Sequence, residues 1–97
     1  MIDVFLPSQL ESYTNGVRHL SFEPHDFDCG DNETLMLTDL IQKLDTQYRG
    51  MAFRIVDEQG RIRRHIAIFI GENMVRELDI PLPANARVQI VGALSGG

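Results

Sequence analysis

The chain has 97 residues, with 14 acidic against 9 basic side chains, a formal net charge of −5 and a single cysteine. That length gives one domain with one core, near the lower end of comfortable independent stability. The acidic balance argues against nucleic-acid binding, which needs a concentrated basic surface to displace counterions, and suits a basic protein partner better.

Cys29 alone forms no intramolecular disulfide, and the opening Met1 to Phe5 lacks the basic n-region and long apolar core of a signal peptide. No run approaches the ~20 apolar residues that cross a bilayer, so a cytoplasmic protein with no membrane partner is expected. Ile2-Asp3-Val4-Phe5-Leu6 reads as a short inner strand closed by Pro7. Ser8 to Ser12 follows, then Tyr13-Thr14-Asn15-Gly16, where Asn-Gly is a strong hairpin signal, and Val17 to Phe22 is the returning strand of an antiparallel hairpin.

Glu23 to Glu33 is polar, holds Pro24 and Gly30, and reads as a connecting loop. His25, Asp26, Asp28, Cys29 and Asp31 lie close together there, but Gly30 comes one place too early for an EF-hand loop and the closing Glu is missing. One cysteine with one histidine also falls short of a zinc set, so a solvated loop with no metal is expected.

Leu37, Leu40, Ile41, Leu44 and Tyr48 recur on one helical face, with Asp39, Gln42, Lys43 and Asp45 off it. Asn32 or Thr34 can cap this helix, Glu33 suits the positive end of its dipole, and Gly50 is a left-handed stop. Met51 to Val56 is apolar but too short for periodicity to decide; a short turn or extended connector is expected. Asp57-Glu58-Gln59-Gly60 is a turn.

His65 to Gly71 alternates cleanly, with Ile66, Ile68 and Ile70 on one strand face and Ala67 and Phe69 on the other. Met74 to Leu78 is a candidate edge strand, Pro81 to Asn85 cannot continue it, and a last strand from Arg87 to Val91 closes the sheet. A hairpin, a helix and further strands give an α+β order: a body over 1–92 and a tail over 93–97.

The tail is Ala93-Leu94-Ser95-Gly96-Gly97. A strand running into glycines holds the terminal carboxylate away from the body, on a tether that spans ~16 Å when extended. Lacking a Cβ, Gly96 and Gly97 can enter a channel too narrow for side chains. Taken alone, the glycine pair fits an idle terminus better; what precedes it shifts the balance.

Three stretches carry a resemblance: the helix end from Leu44 to Gly50, the segment Arg63 to Ile70, and the tail from Ala93 to Gly97. Together with the weaker Leu6-Pro7 and Tyr13 to Gly16, they resemble the ubiquitin-like sulfur carriers. That group includes the small subunit of molybdopterin synthase, the thiamine-pathway carrier and, most similar here, the carrier that feeds a cysteine synthase. The resemblance implies a β-grasp fold: a mixed sheet of four to five strands on one main helix, with a flexible Gly-Gly tail. Asn85-Ala86 stands where the family often has Gly-Asp, and Ser95 where it often has glycine or alanine.

The resemblance further implies that the chain is a co-substrate and not an enzyme. A free carboxylate at Gly97 is inert to sulfide, so a ubiquitin-activating-type adenylyltransferase uses ATP to make an acyl adenylate. Sulfide or a persulfide then displaces AMP, and the Gly97 thiocarboxylate passes its sulfur to a sulfur-accepting synthase. No cofactor is expected on the chain itself, which has no phosphate-cradling glycine loop. Gly96 supplies clearance, Leu94 anchors the tail at the channel mouth, and Ala93 and Ser95 complete the partner contact.

For the body, Phe69 is the candidate interface anchor, with Arg64 and Arg76 as rim contacts. The alternative buries Phe69 under the connector from Met51 to Val56, and the sequence favours neither. His19, His25 and His65 fall in different elements and no nucleophile has a motif, so catalysis on this chain is disfavoured; His65 at a strand start reads as structural. Two other functions stay open: a modifier joined to lysines through Gly97, and a non-covalent interaction module with an idle tail.

Overall fold

The structure is a computed structural model, which describes residues 1–27 and 34–92. The expected tail, and Asp28, Cys29, Asp31, Asn32 and Glu33 of the acidic loop, lie outside the described residues. The strands are β1 (Ile2–Phe5), β2 (His19–Phe22), β3 (Ile66–Ile70), β4 (Asn73–Val75) and β5 (Arg87–Gly92), and the helices are α1 (Leu37–Gln47) and α2 (Met51–Ile55). Short 3-10 turns cover Ser8–Tyr13 and Pro24–Asp26.

The sheet runs in the order β2-β1-β5-β3-β4. β1 is parallel to β5, and every other pairing is antiparallel. The last strand, expected to close the sheet, lies in its middle. Its backbone groups pair on both sides, with Val4↔Val88 on one and Ile68↔Ile90 on the other, which leaves only the short β2 and β4 as edges. β4 stops at Val75, three residues short of the expected Leu78.

Alternation sends Ile2, Val4, Leu20, Phe22, Ile66, Ile68, Val88 and Ile90 into one core. Leu37, Leu40, Ile41 and Leu44 of α1 meet them from above, as their spacing requires. Each such side chain contributes roughly 1.5–3 kcal/mol when fully buried, so this layer dominates the favourable side of folding. Five strands packed on one main helix in this order form a β-grasp fold.

Three local features depart from expectation. The residue at the cap position of α1 is Met36 and not Thr34: Asp39 reaches back to accept the Met36 N–H at 2.8 Å. The segment before Pro81 satisfies two more leading donors, Ile80 O accepting from Leu37 N at 2.8 Å and Leu78 O from Thr38 N at 3.1 Å.

At the other end of α1, Gly50 takes φ +93, the left-handed stop that was expected. The connector beyond it is helical. Asp45 Oδ1 accepts from Gly50 N at 3.0 Å and Ala52 N at 3.2 Å, holding the first turn of α2, and Met51 and Ile55 drop into the core one turn apart. In the first hairpin, Asn15 and Gly16 do adopt positive φ, 55 and 89, but they follow the 3-10 turn instead of joining the strands directly.

Candidate functional site

On the face of the sheet away from α1, one residue from each strand forms a continuous row. His19, Phe5, Gln89, Phe69 and Met74 stand opposite one another in the order β2, β1, β5, β3, β4. His19, Gln89 and Met74 are exposed and the two phenylalanines half-buried. Phe5 and His19 stack in parallel, and the Arg87 guanidinium carbon sits 4.8 Å from the Phe5 ring centre.

Asp3 closes this edge: Ser21 Oγ donates to its Oδ1 at 2.9 Å, and His19 Nε2 lies 3.0 Å from the same oxygen. The hydrogen bond with His19, and then that from Ser21, hold the Asp3 carboxyl below the usual aspartate range. Phe69 thus lies on the open face. α2 packs Met51 and Ile55 into the core on the opposite side, so the connector does not cover it.

The second feature is the end of β5. Gly92 pairs with Ile66, so β5 ends beside the start of β3. A Cβ on Gly92 would lie 2.8 Å from the Gln9 carboxamide, which shows how closely the 3-10 turn approaches this exit. Gln9 lines two cavities. One, of about 420 Å³, includes Phe5, Pro7, Arg18, His19, Val91 and Gly92 in its wall. The other, of about 290 Å³, includes Tyr13, Arg54, His65 and Ile66.

Arg54 Nε donates to the Tyr13 hydroxyl oxygen at 2.7 Å, an interaction that raises the Arg54 pKa further. Arg18 Nε donates to Leu6 O at 3.1 Å and lies 3.6 Å from Glu11. Arg63 Nε donates to Phe53 O and its guanidinium covers the exposed Phe53 ring at 4.6 Å. No carboxylate lines either cavity among the described residues.

The residues singled out from sequence fall in different places. Phe69 is central in the open row, and Arg76 follows the last residue of β4, two residues beyond Met74. Arg64 is exposed in the turn before β3, about five residues or ~16 Å from Phe69 along the chain, at the exit of β5. His65 is exposed, immediately precedes β3 and lines the smaller cavity. Ala93, Leu94, Ser95, Gly96 and Gly97 lie outside the described residues.

Phe5, His19, Arg87 and Met74 had not been picked out as a surface. Strand parity was the available signal: Phe5 falls opposite to Ile2 and Val4, and Arg87 opposite to Val88. Among the described residues no group of three His, Cys, Asp or Glu side chains is arranged to hold a metal ion. Nor is any helix there long and apolar enough to cross a membrane.

No family model matches the chain, and no curated protein matches it in sequence. Solved structures do match in shape. CysO in the Amycolatopsis orientalis BexX/CysO complex superposes with a TM-score of 0.80 at 19% identity, over 100% of both chains. CysO of Mycobacterium tuberculosis gives 0.78 at 24% identity, over 97% of this chain and 100% of that one. SAMP1 from Haloferax volcanii gives 0.71 at 16% identity, over 99% and 98%. These neighbours are small sulfur carriers or ubiquitin-like modifiers. At such identities, the likeness establishes the β-grasp fold.

Proposed function

We propose that this chain is a sulfur carrier that works through its Gly97 carboxylate, with Gly96 giving the clearance needed to enter an enzyme channel. One observation carries the reading. β5 runs through the centre of the sheet to Gly92, and five residues ending in Gly-Gly follow from a body with the carrier fold. A rigid central strand gives such a tail a fixed origin, so that docking of the body determines where the carboxylate can reach.

The chemistry needs two steps on a partner enzyme. A Gly97 carboxylate oxygen attacks the α-phosphorus of ATP, pyrophosphate leaves, and an acyl adenylate forms. Hydrosulfide then attacks the acyl carbon, the bond to the phosphate oxygen breaks, and AMP leaves a thiocarboxylate. A persulfide donor gives an acyl disulfide instead, which a second thiol cleaves by reduction. A sulfur-accepting synthase takes the sulfur and returns the carboxylate. The BexX/CysO complex is a precedent for a partner seated on this fold; by analogy, the open row around Phe69, with Arg76 beside it, is the docking face here. Leu94, Ala93 and Ser95 line the channel mouth in this reading.

The test is mass spectrometry after incubation with ATP, sulfide and a ubiquitin-activating-type adenylyltransferase from the source organism. Replacement of one C-terminal oxygen by sulfur is expected. Gly97 remnants on lysines of other proteins, with no thiocarboxylate, would mean a modifier. Full activity after removal of Gly96 and Gly97 would mean a non-covalent module.

A further inference from the structure

The chain has a formal net charge of −5, yet the exit of β5 is bordered by arginines. Arg18 lines the cavity that includes Gly92, Arg54 lines the second cavity, which shares Gln9 with the first and includes Ile66, the partner of Gly92, and Arg64 precedes the strand that pairs with Gly92. All three side chains are exposed. Glu11 offsets part of the Arg18 charge, at 3.6 Å. Arg64 has no hydrogen-bond or ion-pair partner among the described residues. Glu72 and Glu23 lie at the opposite end of the sheet, where Gly71 N donates to Arg87 O and Phe22 pairs with Ile2. That is a strand length away, ~16 Å, about twice the roughly 8 Å screening length at physiological salt. Among the described residues that line the two cavities, arginine and no carboxylate supplies the formal charge.

We propose that Arg18, Arg54 and Arg64 form a cationic collar at the tail exit that docks on an acidic rim around the channel mouth of the activating enzyme. This rests on the carrier reading above. If Gly97 is to reach an active site, five residues span at most ~16 Å from Gly92. The channel mouth must then close against the ring of side chains surrounding that glycine. Carboxylates there complement the collar, orient the encounter and raise its rate. The partner surface is thus acidic at the tail, opposite to what the overall charge of this chain suggests.

The experiment is ATP–pyrophosphate exchange by the adenylyltransferase, with this full-length chain as the varied substrate. For the wild type, KM rises as NaCl is added. In the triple variant R18E/R54E/R64E, KM rises about tenfold or more at low salt and its salt dependence flattens or reverses. The triple lysine variant R18K/R54K/R64K stays near wild type, because charge and not the guanidinium shape is required. R64E alone, at a side chain with no intramolecular bond to lose, raises KM in the same direction without a folding penalty. Lys43→Glu on α1, the same charge change away from the collar, leaves KM unchanged. Wild-type exchange with KM indifferent to R64E and to the triple reversal overturns the collar while leaving the carrier reading intact. No exchange with the wild type overturns the carrier reading, and the collar with it.

Discussion

Phe5 and His19 stack across the β1–β2 pair with ring centres 4.4 Å apart and planes 6° from parallel. The stack holds His19 where its Nε2 meets Asp3, and so couples the aromatic row of the open face to a charged edge. An antiparallel pair brings directly opposite side chains close enough for this contact, which no local sequence rule specifies.

Asp3 should mark the acid limb of stability. Its carboxyl titrates below the usual aspartate range because His19 and Ser21 hydrogen-bond to it. A group depressed in the folded state adds stability that is fully present above its unfolded pKa and is lost as pH falls through the folded value. The loss therefore begins as pH drops through the ordinary aspartate range and completes below it. In Ser21→Ala, the Asp3 titration midpoint followed by NMR should move upward, towards an unperturbed aspartate. An unmoved midpoint would show that the Ser21 hydrogen bond has no such influence.

Phe69 tests whether the open face binds. Its cross-strand contacts with Gln89 and Met74 contribute roughly 0.2–1 kcal/mol each, so Phe69→Ala should cost about 1 kcal/mol in urea unfolding and leave the fold in place. Binding should suffer more: an interface anchor truncated to alanine loses about 2 kcal/mol or more, or some thirtyfold in affinity for the activating enzyme, measured by calorimetry. Equal affinity of the two forms would remove Phe69 from the docking face.

The junction of α1 with α2 gives a third test. At Gly50 an added Cβ meets Tyr13 Cε1 at an ordinary 3.5 Å, so the cost of Gly50→Ala comes from the backbone at φ +93 and should be about 1–2 kcal/mol. Asp45→Ala removes two acceptor contacts from the same junction, to Gly50 N and Ala52 N, and should cost a comparable 1–2 kcal/mol. Hydrogen exchange should then quicken at Ala52 first. If exchange is unchanged there, the start of α2 is held by the burial of Met51 and Ile55 alone.

What the sequence determined was periodic. Leu37, Leu40, Ile41 and Leu44 had to share a helical face, Ile66 and Ile68 a strand face with Phe69 opposite, and Gly50 had to end a helix, because each follows from backbone geometry within a few residues. The helical state of Met51 to Ile55 was not legible, since five residues are too few for a period and the deciding acceptor is Asp45 in the preceding helix. The cap on α1 was misread because Ile80 and Leu78, forty or more residues on, supply acceptors for its leading N–H groups. The insertion of β5 between β1 and β3 and the row from His19 to Met74 are decided by strand order and register. Those are long-range choices, set by which surfaces bury together, and a linear pattern of residues carries no record of them until the chain has closed.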